Sequence, residues 1–285
     1  MQYRRLGDSG LCLSALSLDA AAAGSSRGSL RNLVAMAWDR GINLFDSAGA
    51  DGDGTAEQVL GDVIADLRLP RDGFAVASRV RPGVPGTPRP MQRGLSRKRV
   101  RDGCDAALRR LRVDYIDLFS CPQPEPDQPL AETVAAMDAL IGQGKVLYWG
   151  TSGWPATRIL EARAIARVQG LRPPTMERPR YGVLERRWVE QEHALLCTDG
   201  ALGLTVCATA GGVDTRLAAI AAELGVPAGA LDVAWCLRNR SVSSVLVGAV
   251  DTGALETSLA ALLLYDRLGP DAWQRVDAVS ERDMP

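Results

Sequence analysis

Residues 115–152, YIDLFSCPQPEPDQPLAETVAAMDALIGQGKVLYWGTS, hold two strand-like runs with a helical run between them. YIDLFSC (115–121) and VLYWGTS (146–152) carry the β-branched and aromatic side chains of buried strands. AETVAAMDALIGQ spaces its apolar residues at i, i+3, i+4 and i+7, the stripe of an amphipathic helix. The same unit recurs in both directions along the chain. Upstream lie LSALSLD (13–19), GINLFDS (41–47) and GFAVASRV (73–80); downstream lie PTMERP (174–179), LGLTVCA (202–208) and SSVLVGA (243–249). Stretches such as AEQVLGDVIADL, RDGCDAALRRL and ALDVAWCLRN repeat the helical pattern between them. Ahead of the first strand, Tyr3 to Arg5 and Leu11 to Leu13 flank a turn at Gly7-Asp8-Ser9-Gly10 and predict a hairpin. Eight strands, each followed by a helix, predict an α/β fold of the (β/α)8 TIM-barrel type rather than an open doubly wound sheet. No G-x-G-x-x-G follows the first strand, as a Rossmann domain would require. Residues 1–285 therefore read as one barrel domain.

Composition narrows the function classes. The chain has 285 residues, 46% hydrophobic and 24% charged, with a formal net charge of −1. A near-neutral, interspersed charge gives no field for nucleic acid or an anionic membrane. The chain has one histidine, His193, and two lysines, Lys98 and Lys145. The six cysteines form no C-x-x-C and no zinc spacing with His193, so no metal site is expected. With no apolar leader at MQYRRLGDSG and no run of 18 apolar residues, the expectation is a reduced, cytoplasmic protein.

In such a barrel the chemistry sits at the carboxyl ends of the strands. Side chains alternate along a strand, so Asp19, Asp46, Arg79, Ser120, Ser152, Arg178 and Thr209 are expected at the mouth, with Asp51 reaching it from a loop. Buried carboxylates and guanidiniums are costly unless paired. An ion pair bracing the barrel and a catalytic role are both open for Asp46 and Arg79. Cys121 is expected to point outward into the core.

GINLFDSA…GDGTAEQVLG, GLSRKRVRDGCDAALRRLRVDYIDLFSC, PEPDQPLAETVAAMDALIGQGKVLYWGTSGW and AWCLRNRSVSSVLVGA together resemble the aldo-keto reductases. Within that family the chain is similar to the potassium-channel β-subunit-like branch, from Tyr3 to about Leu262. The resemblance implies a barrel plugged by a hairpin and an ancestral NADPH-dependent carbonyl reductase. It also implies four catalytic residues: an Asp, a proton-donating Tyr, a Lys beside it and a His. Asp46 matches the first, but the Tyr position is Asp51, the Lys position Arg79 and the His position Pro122. The Gln expected to hold the nicotinamide carboxamide is Arg178, and the Asn expected after Ser152 is Gly153. The loop after strand 7 is shortened, running from Thr209-Ala210-Gly211-Gly212 almost directly into a helix near Thr215. After strand 8, Val250, Ala254, Thr257 and Ser258 replace the expected adenosine-binding residues.

These departures predict no cofactor and a repurposed site for acid/base work on a small molecule: dehydration, cyclisation or isomerisation. Asp46, Asp51 and Arg79 are the expected catalytic residues. Arg79 would hold Asp46 by a bidentate bond, leaving Asp51 as the less fully paired carboxylate. Asp19, Ser120, Ser152, Arg178, Arg180 and Tyr181 are the expected substrate-binding residues, with Tyr181 either stacking on a flat substrate or packing in the core. One alternative is a pseudoenzyme that binds a protein partner or another copy of itself. A second is an NADPH-dependent oxidoreductase with a different proton donor.

Overall fold

The computed structural model describes residues 1–24, 26–47, 54–81, 89–197, 200–208 and 214–281. Two short strands, β1 (Tyr3–Arg5) and β2 (Cys12–Ser14), form an antiparallel hairpin. Eight parallel strands then close a barrel: β3 (Leu16–Asp19), β4 (Leu44–Asp46), β5 (Ala75–Arg79), β6 (Ile116–Pro122), β7 (Val146–Ser152), β8 (Met176–Glu177), β9 (Gly203–Cys207) and β10 (Val242–Gly248). Their order around the barrel follows the chain, with β10 closing against β3. This is the (β/α)8 barrel that the strand and helix periodicities predict, with the hairpin plug that the resemblance implies.

The crossover helices come in turn: α1 (Arg27–Asp39), α2 (Thr55–Leu67), α3 (Arg97–Leu111), α4 (Leu130–Gly142), α5 (Ala156–Gln169), the short α6 (Ala194–Cys197), α7 (Thr215–Glu223) and α8 (Ala228–Leu237). After β10 come α9 (Thr252–Leu259), α10 (Ala261–Arg267) and α11 (Pro270–Glu281). Ser26 and Ser96 accept from Ser29 N and Arg99 N and so satisfy amide donors at the starts of α1 and α3. The helices cover the outer barrel face, where Val76, Phe119, Trp149 and Val245 are fully buried.

The inner face has a different composition. Its floor is Leu44, Ala75, Ala77, Leu118 and Met176, packed on Leu6 and Leu13 from the hairpin. Gly7 and Gly203 make that seat possible, because a Cβ on Gly203 would stand 2.6 Å from the Gly7 amide nitrogen. Arg4 ties the hairpin down, donating to Val242 O at 2.8 Å and Leu237 O at 2.7 Å. With the amino-terminal end closed by leucines, the polar inward residues collect at the carboxyl end.

The candidate site at the barrel mouth

Strand register sets the first relationship at the mouth. Asp19 ends β3, Asp46 ends β4, and the two are direct partners across the parallel pair. Neighbouring strands lie about 4.8 Å apart, so two carboxylates stand side by side. Burial, then the Asp46 charge, pushes the Asp19 carboxyl up to about 6, against the opposing pull of Arg178. Asp19 also accepts from Ala21 N at 2.9 Å and so caps the 3-10 turn that follows it.

The cation that serves this pair comes from the far wall. Arg178 follows β8, which lies diametrically opposite β4 in the barrel order. Its Nη1 lies 2.9 Å and 2.8 Å from the two Asp46 oxygens, and its Nε lies 3.3 Å from Cys207 Sγ. Arg178 is only 8% exposed. Burial works to discharge its guanidinium, but Asp46 and then Cys207 outweigh that and hold it charged, above its ordinary value. Arg79, at the end of β5, stands near the same group. Burial and the Arg178 charge pull it below its ordinary value, while Asp46 supports it.

Arg178 is seated on both Asp46 oxygens, so Asp46 has a partner on the far wall that the sequence expectation did not name. Asp46 pairs with Ala77, so Arg79 sits two residues nearer the rim, level with Ser120. Ser120 is buried and its hydroxyl donates to Ser78 O at 3.4 Å. Ser152 is half-buried at the end of β7. Arg180 lies on the outer rim, 80% exposed along its side chain and 3.7 Å from Glu185. Asp51 and Thr209 lie outside the described residues.

Tyr181 takes the packing role. It is buried, lies 5.1 Å from the Trp235 ring, donates to Glu190 at 2.8 Å and accepts from Asn239 at 3.3 Å. Its amide donates to Cys207 O, which continues the strand pairing and turns the ring away from the mouth into the helix layer. Cys121 faces outward and is fully buried, which pushes its thiol up. Lys98 and Lys145 pair with Asp102 and Asp105 away from the mouth, and His193 is enclosed beneath the segment following β8.

Sequence reasoning missed three groups. Cys207 is half-buried beside Arg178, and the alternation Gly203, Thr205, Cys207 was its available signal. Glu57 was hidden in the apolar pattern of α2. It accepts from Ser78 at 2.5 Å and Arg110 at 2.6 Å and lies 3.3 Å from Arg81, pinning α2 and α3 to the end of β5. Glu177 is wholly buried and accepts from Thr151 Oγ1, from Gly153 N at 2.5 Å and from Trp154 N at 3.3 Å. Burial pushes its carboxyl up to about 7 despite those donors. A lone glutamate gave no sign of this.

The profile described as Aldo/keto reductase family matches residues 11–212. The chain is 33% identical to a probable voltage-gated potassium channel subunit beta of Arabidopsis thaliana, over 98% of this chain and 96% of that protein. It is equally similar to the protein of the same description from Oryza sativa subsp. japonica, at 33% over the same shares. A putative voltage-gated potassium channel subunit beta of Schizosaccharomyces pombe is 31% identical, over 97% of this chain and 92% of its own length.

Proposed function

Because this chain belongs to the aldo/keto reductase family, we propose that it is a barrel of that family repurposed for acid/base chemistry on a small anionic carbonyl compound, without a nicotinamide. Asp19, titrating near 6, takes a proton from the carbon beside the carbonyl and returns it during a dehydration, cyclisation or isomerisation. Arg79 holds the oxygen on which negative charge gathers. Asp46 and Arg178 are the fixed ion pair that sets the local field, and Ser120 and Ser152 orient the substrate. Support comes above all from Arg178, whose guanidinium sits on Asp46 and Cys207 at the barrel axis.

The residues present do not suit a dinucleotide. Where the resemblance expects a carboxamide-binding Gln, Arg178 sends a cation across the barrel to Asp46. Only residues 208–214 join β9 to α7, too few to fold over a pyrophosphate. Helix α9 is capped by its own Asp251, which accepts from Ala254 N at 2.8 Å. A carboxylate at a helix N-terminus takes the place a phosphate would use and repels it.

Incubation with small keto acids in heavy water, followed by proton NMR, tests the proposal. The chain should exchange protons beside the carbonyl well above the buffer rate, and Asp19→Asn should lose about a hundredfold of that. Calorimetric titration with NADPH should give no saturable binding. Micromolar binding with hydride transfer to a carbonyl would return the site to the reductase class with another proton donor.

The names of the relatives favour a second reading, a subunit that binds a larger protein and keeps the mouth charges as structure. Unchanged proton exchange in Asp19→Asn, together with stable association with a partner chain, would support it.

A further inference from the structure

Beside the mouth, a groove of about 540 Å³ runs along the segment that follows β8. Its walls begin where the mouth residues end. Gly153 follows Ser152 on one side, and Pro179 and Arg180 follow Arg178 on the other. The far wall holds Leu184 and Trp188, 41% and 38% exposed, together with Arg187. Trp149, Trp154, Trp235 and Trp273 are buried and Trp38 is half-buried, so Trp188 is the most exposed of the six indoles.

The groove is held open by buried polar groups. Glu177 fixes the Gly153–Trp154 wall through both amides. His193, itself fully buried, places one ring nitrogen 2.9 Å from Trp154 O and the other 3.0 Å from Trp188 O, bridging the two walls. The same imidazole lies 5.7 Å from the Trp188 ring, beneath it. A flat apolar face is thus presented already ordered, which removes part of the entropic cost of binding. Two arginines, Arg180 and Arg187, stand at the edge together with two glutamates, Glu185 and Glu192. Among the described residues, Arg180 makes a long, exposed contact to Glu185 at 3.7 Å, the kind of pair that is worth little and is readily exchanged. Arg187 donates to Gln191 at 3.1 Å.

We infer that this groove is a specificity site for the distal arm of the substrate, and that the arm it takes is a planar aromatic ring bearing an anionic group. The ring lies on Trp188 and Leu184, and the anion meets Arg180 at the rim. This rests on the proposed chemistry only in assigning the other end of the molecule to the mouth; binding in the groove is separable from proton transfer.

Calorimetry with naphthoate, an aromatic carboxylate, and with its neutral carboxamide tests the inference on the full chain. Naphthoate should bind at one site. Trp188→Ala should weaken it about tenfold, and Leu184→Asp, a second variant at an exposed position, should weaken it as well. Arg180→Gln should weaken naphthoate several-fold and leave the carboxamide unchanged. Asp19→Asn should bind naphthoate like the unmodified chain. Failure of proton exchange with these results intact would remove the acid/base proposal and keep the groove. Absence of binding, or equal binding by Trp188→Ala and Leu184→Asp, would overturn the groove assignment whatever the mouth does.

Discussion

Asp46 and Arg178 are 132 residues apart and stand at opposite walls of the barrel, yet one guanidinium nitrogen bonds both carboxylate oxygens. The pair closes the mouth across its axis beside Asp19, whose carboxyl burial pushes up to about 6. Both members are almost fully buried. The worth of such a pair lies less in its own attraction than in what removal of one member exposes.

Arg178→Gln should therefore destabilise the fold by about 3–5 kcal/mol, because buried Asp46 would lose the guanidinium that sits on both of its oxygens. Arg178 also pulls the Asp19 carboxyl down, so its loss should raise that group further. Urea denaturation at neutral pH measures the first effect, and carbon-detected NMR titration of the Asp19 carboxyl measures the second.

Asp19 and Glu177 both bind protons more tightly when folded, with carboxyls raised from 3.8 to about 6 and from 4.5 to about 7. In that window the folded state holds more protons than the unfolded chain, so stability falls as pH rises. The contribution is fully present below pH about 4 and lost by about 7. The urea midpoint should drop across this range. Asp19→Asn should remove the lower part of the slope and Glu177→Gln the upper part.

Glu57→Gln should cost about 2–4 kcal/mol, because it strips the charge that holds Arg110 and Arg81 at the end of β5. Thermal unfolding measures the loss. Arg110→Ala in the same background should add little more, since the two residues share one interaction.

Leu13→Ala opens a cavity in the hairpin plug, where Leu13 is fully buried, and should cost about 2–5 kcal/mol. Proton exchange at the mouth should be unchanged at a temperature where the variant is folded, because plug and mouth lie at opposite ends of the barrel. Denaturation and the exchange assay on the same sample compare the two effects.

Local periodicity alone made the barrel legible. Every barrel strand overlaps one of the eight strand-like runs read from the sequence, and the alternation of two placed Asp19, Asp46, Arg79, Ser120, Ser152 and Arg178 at one end. That information is carried by neighbouring residues, so it survives in a linear string. Partnership is not carried that way. Arg178 reached Asp46 because closure of the sheet put β8 opposite β4, a distance that no spacing in the chain records. Arg79 stood nearer the rim because register paired Asp46 with Ala77. Tyr181 turned into the core because its backbone joined the Cys207 edge, and Glu57 and Glu177 became buried acceptors because packed elements closed over them. The sequence determined which chemical groups meet at the mouth and at which end of the barrel; the closed barrel decided which of them touch, since charge pairing falls off within a few ångströms and only the tertiary fold sets distances that short.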